Sequence, residues 1–420
     1  MLIQFSVKNY RSIKDEAELK MITDAGKELL DSNTFQPDAK GANSFGLMKS
    51  AAIYGANAAG KSNITKALSK MQWLILNSAT QLQCGWQLDI EPFKFSTDCI
   101  GEPTEFNMDF ISKGIRYQYG FSANNERVLE EWLFAYPNGR AQTWFIREYD
   151  PENTQYNWSK DSYLAGTKST WKDATRDNAL FLSTAIQLNS KQLAPIYQWF
   201  CDMLKIVDFQ DTFNTPLDDS QSYDDVLAFL KIADLYIEDI RVSKESTLPA
   251  NSLKLETGHR MEDGSLCYLD LNDESAGTQR VFAFAASIVQ SLQDGAVIVI
   301  DDLSNSLHPA IMKFLVSLFN SSESNANNAQ LVFTTHETSV LNQDIFRRDQ
   351  VWFCEKNKAQ STTLYSLSSF KVRKGADNLA RNYLSGKYGA LPFIDESNLN
   401  HTVFNRAEVE AKTKLSSKND

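Results

Sequence analysis

The chain has 420 residues, of which 42 are lysine or arginine and 53 are aspartate or glutamate, so its formal net charge is −11. Its 42% apolar and 23% charged residues are ordinary for a globular chain and exclude a largely disordered one. The acidic balance argues against a protein whose whole surface coats nucleic acid, although it leaves a local basic groove open.

The five cysteines are scattered singly, without a C-x-x-C pair, and the chain has only four histidines. This pattern indicates reduced thiols and excludes a disulfide framework, a zinc site and a histidine-rich metal centre. The first residues lack the apolar core of a signal peptide, and no apolar run approaches the about 20 residues that span a bilayer. We therefore expect a cytoplasmic protein that does not interact with a membrane.

An alternating apolar pattern over residues 1–20 is typical of an edge or half-buried strand. After a polar loop, Ala51 to Tyr54 form a short apolar run that leads into the sequence GANAAGKS. A segment with apolar residues at helical spacing follows it. The order is therefore strand, glycine-containing loop and helix.

Short alternating segments between about 88 and 150, including FKFSTD, EFNMDFIS and IRYQYGFSA, predict an antiparallel β lobe. The next region contains helix-like stretches, notably Leu193 to Ile206 and Tyr223 to Ile237. Farther on, the apolar runs AVIVI and QLVFTT alternate with helical segments. Such short runs, apolar on both faces, are typical of a parallel sheet.

The strongest chemical signal is a complete G-x-x-x-x-G-K-S motif, the P-loop pattern. It lies between the apolar run Ala51 to Tyr54 and the helical segment that follows. A loop that surrounds a phosphate needs inward-pointing backbone N–H groups, and it needs glycine where a side chain would clash. Its lysine reaches the β and γ phosphates, its serine ligates Mg²⁺, and the helix N-terminus faces the anion. The predicted binding residues are Gly55, Ala56, Asn57, Ala58, Ala59, Gly60, Lys61, Ser62 and Asn63.

A second signal is the pair of carboxylates that ends the run AVIVI. Asp301 and Asp302 are thereby placed at the carboxyl edge of a central strand. This edge holds the metal ion and the attacking water in P-loop enzymes. We predict that Asp301 belongs to the Mg²⁺ shell and that Asp302 orients or deprotonates the water.

Two weaker sequence patterns also predict contacts with a phosphate. Ser275 and Gly277 open an apolar helix, whose N-terminus can donate hydrogen bonds to a phosphate held by another loop. The alternative for this pattern is an ordinary helix cap. His336 follows the run LVFTT and is placed to contact a γ-phosphate, although a strand-end histidine can also be purely structural.

The order of these elements resembles the head of ABC-type ATPases: P-loop, S-x-G-x-Q, D-D followed by LSNSLHP, then TTH. The N-terminal VKNYRSI and the long spacing between the first two motifs are similar to the SMC and OLD branch. More narrowly, the chain resembles stand-alone OLD-like ATPases of bacterial anti-phage and abortive-infection loci, which include the PARIS ATPase subunit and the Rlo proteins. EPFKF and RNYLSGKYGALP extend the resemblance over nearly the whole chain.

The resemblance implies an α/β fold, a P-loop ABC-type ATPase head with an antiparallel β lobe and an inserted helical subdomain. It divides the chain into five parts. These are the N-terminal part of the ATPase core (1–87), the β lobe (88–150), the helical insertion (151–250), the C-terminal part of the core (251–405) and a flexible tail (406–420).

The resemblance also implies that ATP and Mg²⁺ are bound between two subunits of a homodimer or higher homo-oligomer. The residues expected to act within one subunit are Lys61, Ser62, Asp301, Asp302 and His336. Those expected to act on the neighbouring subunit's nucleotide are Ser275 and Gly277. Arg11 would lie near the phosphates. Three residues stay open as the Q-loop glutamine: Gln81, Gln83 and Gln87.

Two departures from the family pattern bear on the rate of hydrolysis. The catalytic carboxylate is usually glutamate, whereas Asp302 is one methylene shorter, and Ser304 stands where the family usually has an acid. Misplacing a base by about 1 Å can cost on the order of 100-fold in rate. We therefore expect slow hydrolysis, with ATP acting mainly as a conformational clamp.

The function implied is an ATPase that senses or holds a separate effector protein, a toxin or nuclease, in anti-phage defence. The alternatives are an SMC-like DNA-maintenance ATPase and, with less support, a self-contained OLD-type nuclease. A basic stretch is either a solvated face or a docking surface for an acidic partner or nucleic acid. It comprises Lys371, Arg373, Lys374, Arg381 and Lys387.

Overall fold

Two large sheets, one antiparallel and one mostly parallel, form the frame of the molecule. The computed structural model describes residues 1–42, 44–207, 220–233, 236–244 and 253–392. Met1–Ala390 form one unit, and most of the second unit, Leu391–Asp420, lies outside the described residues. The predicted tail 406–420 is among the residues that are not described.

The described residues contain eighteen strands. In chain order they are β1 (Leu2–Lys8), β2 (Ala17–Lys20), β3 (Thr34–Phe35), β4 (Leu47–Met48), β5 (Ser50–Gly55), β6 (Thr104–Ser112), β7 (Ile115–Ala123), β8 (Val128–Ala135), β9 (Gln142–Asp150), β10 (Gln155–Trp158), β11 (Leu204–Val207), β12 (Asp239–Lys244), β13 (Leu253–Arg260), β14 (Leu266–Asp270), β15 (Val297–Ile300), β16 (Gln330–Thr335), β17 (Val351–Lys356) and β18 (Thr362–Ser366).

The same residues contain ten α-helices. They are α1 (Leu30–Asn33), α2 (Lys61–Asn77), α3 (Thr97–Ile100), α4 (Lys168–Ala174), α5 (Phe181–Gln187), α6 (Ala194–Gln198), α7 (Ser220–Ile232), α8 (Ala276–Asp294), α9 (Pro309–Asn320) and α10 (Leu379–Leu384). None of the helices in the described part of the chain has the length and apolar character needed to cross a membrane.

The six-stranded sheet has the order β11-β15-β16-β5-β17-β18. Its first five strands run parallel to one another, and β18 pairs with β17 in the antiparallel direction. All four residues of β15 are buried, as is usual for a strand covered on both faces. The parallel sheet predicted from the apolar runs is therefore confirmed.

The seven-stranded antiparallel sheet has the order β10-β9-β8-β7-β6-β1-β2. It confirms the predicted β lobe, and residues 1–20 contribute two strands to it: β1, which pairs with both β6 and β2, and β2, which lies at the edge. The segment FKFSTD was wrongly predicted as a strand. The Phe93 N–H donates to Asn9 Oδ1 at 2.9 Å, and the chain then turns into α3.

The chain segment predicted to be helical, between residues 193 and 237, differs from prediction in two places. The helix predicted over Leu193–Ile206 is α6 followed by a π-helical turn, Trp199–Met203, and then by β11. Tertiary pairing overrides the helical pattern here, because β11 lies parallel to β15. The second predicted helix, Tyr223–Ile237, corresponds to α7, which ends at Ile232.

One apolar core joins the P-loop helix α2 to both sheets. Ile64 and Leu68 of α2 belong to the same buried cluster as Phe106 of the antiparallel sheet and Ile53 and Val299 of the parallel sheet. Helix α9 contacts β16 and β5. The parallel sheet therefore holds the start of α2 in a fixed position relative to its own strand ends.

A buried ion pair ties the antiparallel sheet to α5. Glu131 and Arg147 are both 0% exposed, with Arg147 Nη1 3.7 Å from Glu131 Oε2. The Glu131 carboxylate also accepts hydrogen bonds from Tyr119 Oη at 3.0 Å and from the backbone N–H groups of Phe181 and Leu182 at 2.6 and 3.0 Å. These partners satisfy the carboxylate where water cannot reach it.

We predict that Glu131→Ala lowers the free energy of unfolding by about 3–5 kcal/mol, because it leaves the Arg147 charge buried and uncompensated. Urea denaturation measures this loss. Glu130→Ala is the matched control, because Glu130 is exposed on the same strand, and its change should stay within about 0.5 kcal/mol. Equal losses in the two variants would contradict the structural role of the pair.

Candidate nucleotide-binding site

Three neighbouring strands end at the same edge of the parallel sheet. The register pairs Thr335 with Tyr54 and Ile300 with Phe333. The P-loop after β5, the carboxylates after β15 and His336 after β16 therefore converge. This is the edge at which ligands bind in open α/β sheets.

The P-loop glycines are required by the protein's own backbone as well as by a phosphate. A Cβ on Gly55 would collide with the carbonyl oxygen of Cys354 in β17. Gly60 has a φ of 104°, and a Cβ there would collide with Thr362 Oγ1 and lie 2.8 Å from Ser12 Oγ. Larger residues at either position would therefore displace the loop whether or not a nucleotide is bound.

Lys61 is buried at the centre of the site. Its Nζ donates to Gly55 O at 2.9 Å and to Ala56 O at 3.0 Å, and it lies 3.4 Å from His336 Nδ1. Burial lowers the pKa of Lys61, while the carboxylates of Asp302 and Asp301 act in the opposite direction. The carbonyl contacts hold the ammonium group inside the curve of the loop.

The side chains of Asn63 and Thr362 stabilise the P-loop, whereas the Ser62 hydroxyl makes no such contact in the described part of the chain. Asn63 Nδ2 donates to Ser12 Oγ at 2.6 Å, and Thr362 Oγ1 donates to Ala59 O at 2.8 Å, so both side chains brace the loop. For the Ser62 hydroxyl, the described residues provide no hydrogen-bond partner. It is therefore the group of this turn that is open to a metal ion.

The turn after β15 is organised by Thr334. Its Oγ1 donates to Asp301 Oδ1 at 2.6 Å and accepts from the Asp302 N–H at 2.7 Å. The Asp302 backbone has a φ of 51°, a left-handed value that is unusual for a residue other than glycine. Thr334 thus holds the Asp301 carboxylate and the Asp302 backbone with one hydroxyl group.

Two further side chains hold Asp302. Arg280 of α8 donates from Nη2 to Asp302 O at 2.8 Å. Ser304 Oγ donates to Asp302 Oδ1 at 3.3 Å and accepts from the His336 N–H, also at 3.3 Å. Ser304, the residue that departs from the family pattern, therefore lies between the carboxylate and the histidine.

Ser275 and Gly277 lie at the start of α8, close to the same turn in their own subunit. Ser275 Oγ accepts from the Thr278 N–H at 3.1 Å, so it caps the helix, as the simpler interpretation predicted. A Cβ on Gly277 would lie 2.9 Å from Ser306 O. The absent side chain at position 277 therefore lets the helix pack against the loop that follows Asp302.

Arg11 lies one residue from the P-loop contacts. Its Nη2 pairs with Glu91 at 2.8 Å, and the neighbouring Ser12 is the residue that contacts Asn63. The three candidate Q-loop glutamines, Gln81, Gln83 and Gln87, are all exposed.

The donor set fits a nucleotide and Mg²⁺. Lys61 and the helix N-terminus provide positive charge and N–H donors for phosphates. Ser62 and Asp301 provide the hydroxyl and carboxylate oxygens that Mg²⁺ prefers. Asp302 and His336 lie at the same edge, close to Lys61.

Sequence reasoning assigned no role to Thr334, Ser12, Thr362 or Arg280. A polar residue at the end of a buried strand was the available signal for Thr334, and a charge on an otherwise apolar helix was the signal for Arg280. For Thr362 there was no signal, because it lies in a distant hairpin strand.

Residues 50–342, more than two thirds of the chain, match the model of the AAA_21 family, described as "AAA domain, putative AbiEii toxin, Type IV TA system". The chain belongs to this family. It is thus a nucleotide-binding ATPase, and the predicted fold class, a P-loop ATPase head with an antiparallel lobe and a helical insertion, is confirmed.

No curated protein matches the chain. Among solved structures, the SmcHead bound to the C-winged helix domain of ScpA is 13% identical, with a TM-score of 0.43, and covers 87% of this chain and 97% of that chain. The Smc head domain with a coiled coil and joint from Pyrococcus yayanosii is 9% identical, with a TM-score of 0.43, and covers 92% and 99%. At this level of similarity these structures carry no information about what the chain binds.

We predict that Lys61→Met raises the pKa of His336. Burial is the largest cause of its lowered pKa and the Lys61 charge is the next, so the variant removes the second cause and keeps the first. The C2–H resonances of the four histidines, followed by NMR against pH, measure the change. A His336 pKa that does not move would contradict the close approach of the two side chains.

Proposed function

We propose that the chain is a Mg²⁺-dependent ATPase whose nucleotide state controls a separate effector protein in bacterial anti-phage defence. The observation that carries the ATPase part is the convergence of Lys61, Asp301 and His336 at one strand edge. The family description, which names an AbiEii toxin and a type IV toxin–antitoxin system, supports the effector and defence part.

In this proposal the P-loop binds the phosphates and Lys61 neutralises the β and γ groups. Ser62 and Asp301 hold Mg²⁺, which supplies charge neutralisation at the reacting phosphate. Asp302 orients or deprotonates the attacking water, and the neutral His336 imidazole contacts the γ-phosphate. Arg11, which is beside Ser12 and paired with Glu91, would lie near the phosphates.

Turnover is slow in this proposal because Asp302 is shorter than glutamate and is held by several contacts. Ser304 and Arg280 fix its side chain and its backbone carbonyl. A fixed carboxylate that is too short cannot move forward to the water, so ATP binding persists long enough to act as a clamp.

We predict that Lys61→Ala abolishes ATP binding while the fold is kept, because the polar contacts of Lys61 are with the loop carbonyls and with His336 and none of them joins elements of the apolar core. Titration with a fluorescent ATP analogue measures binding, and circular dichroism checks the fold. Lys66→Ala is the matched control, because Lys66 is exposed on the same helix and should leave affinity unchanged. Unchanged affinity in a folded Lys61→Ala protein would refute the P-loop assignment.

The same pair of variants tests the defence role in cells. The efficiency of phage plating is compared between hosts that carry the intact locus and hosts that carry each variant. Protection that survives Lys66→Ala and is lost with Lys61→Ala supports nucleotide-controlled defence. Equal plating with and without the intact locus, over a broad phage panel, would count against it.

We further propose that the Ser275–Gly277 segment of a second copy of the chain completes the nucleotide-binding site. Gly277→Asp is an unsuitable test, since the new side chain would collide with Ser306 O in its own subunit. Ala276 is exposed at the first turn of α8, and an aspartate there stabilises its own helix. The charge of this aspartate would repel only a phosphate that is bound to the second subunit and faces the start of α8.

We predict that Ala276→Asp abolishes ATPase activity and that mixing it with Lys61→Ala restores part of the activity. A mixed dimer would contain one site with an intact P-loop and an intact facing helix. Ala276→Asn, which has the same shape and no charge, is the control and should remain active. Phosphate release from verified mixed dimers measures the result. Normal hydrolysis by Ala276→Asp would rule out the facing role of α8.

A further inference from the structure

The residue before the cap of α8 is an acid, and its side chain is largely buried. Glu274 directly precedes Ser275, and its side chain is 10% exposed. Its Oε1 accepts a hydrogen bond from Thr257 Oγ1 at 2.5 Å and a second one from His259 Nε2, also at 2.5 Å. A carboxylate can only accept, so His259 is the donor in this contact. The Thr257–His259 pair therefore holds the Glu274 carboxylate.

The Thr257–His259 pair is built into the central strand of the three-stranded sheet β12-β13-β14. Thr257 and His259 are two residues apart in β13, so their side chains project from the same face of the sheet. The strand pairs with β12 on one side and with β14 on the other, which fixes the position of both donors. The backbone of Glu274 is fixed as well, because Gln279 Nε2 of α8 donates to Glu274 O at 2.9 Å.

Open N–H donors lie directly beside Glu274. Within the described residues, the N–H groups of Ala276 and Gly277 have no acceptor, as is usual in the first turn of a helix. Ser275 Oγ already accepts from the Thr278 N–H, so the capping position is taken. A free carboxylate next to the cap would be attracted to the open donors and to the positive end of the helix dipole. It would then compete with a phosphate for the start of α8.

We propose that Thr257 and His259 are positioning residues for the nucleotide that is shared between two subunits. They hold the Glu274 carboxylate in the sheet, and they thereby keep the N-terminus of α8 free for the phosphate of a second copy. Both residues act only through Glu274 and contact no nucleotide themselves. Once released, the Glu274 charge would repel that phosphate and occupy its donors. This inference rests on the proposed facing role of α8.

Self-association of the full chain with Mg²⁺ and ATPγS tests the pair, and analytical ultracentrifugation gives the dissociation constant. The double variant Thr257→Val/His259→Ala should weaken association by about two- to five-fold, the range for one charge at a helix terminus. His259→Ala alone keeps the Thr257 contact and should have an intermediate effect. Arg260→Ala is the matched control, because Arg260 is exposed and projects from the opposite face of β13. It should associate as the wild type does.

The decisive variant removes the charge of Glu274 and keeps its shape. Adding Glu274→Gln to the double variant should restore wild-type association, because a released amide carries no charge that repels a phosphate. Glu274→Gln alone keeps an oxygen that accepts from Thr257 and His259, and it should associate at least as well as the wild type. Circular dichroism checks that each variant is folded.

Two outcomes would overturn the role of the pair. One is wild-type association of the double variant. The other is a triple variant that associates no better than the double variant, since this is the result expected if Thr257 and His259 only stabilise the sheet.

Ala276→Asp in the same assay separates this inference from the proposed function. It places a carboxylate at the start of α8 directly, so it should weaken association even though the Thr257–His259 pair is intact. If Ala276→Asp associates as the wild type does, the facing role of α8 is wrong and the present inference falls with it. If Ala276→Asp weakens association and the double variant does not, the facing role stands and only the role of the pair is overturned.

Discussion

The parallel register of β15, β16 and β5 is the constraint on which the nucleotide site depends. Because Ile300 is level with Phe333 and Thr335 is level with Tyr54, the carboxylates, the histidine and the P-loop begin at one edge. Moving one strand by a single residue would turn its side chains to the opposite face. Thr334 could then no longer bond Asp301 and the Asp302 N–H together. The chemistry of the site is thus held by apolar pairing inside the sheet.

The buried ammonium group of Lys61 is the second feature on which the nucleotide site depends. Removing an ammonium group from water is costly unless its hydrogen-bond donors find partners. Lys61 finds them in the carbonyl oxygens of Gly55 and Ala56, which belong to the loop that it must organise. Asp301 and Asp302 add the compensating negative charge. The buried ammonium group is therefore stabilised by neutral carbonyl oxygens and by carboxylates of half-buried residues.

Contacts within one subunit also join the start of α8 to the Asp302 turn. Arg280 holds the Asp302 carbonyl, and Gly277 packs against the Ser306 carbonyl. A displacement of the α8 N-terminus would thus be passed to the backbone that aims the Asp302 carboxylate. In the proposed dimer this would give each subunit a direct physical route from the neighbour's phosphate to its own Asp302. The left-handed φ of Asp302 makes the turn sensitive to such a displacement.

The sequence by itself determined the features that depend on neighbouring residues. Glycine and lysine spacing identified the loop at Gly55–Ser62, and the apolar runs before Asp301 and His336 identified strands of a parallel sheet. Periodicity reports which face of a segment is buried, but it carries no information on which distant segment covers that face. Only the tertiary structure placed β1 inside the antiparallel sheet, made Leu204–Val207 a strand beside β15 and brought Thr362 onto Gly60. These decisions rest on contacts between residues far apart in sequence, where packing and strand pairing outweigh local preference.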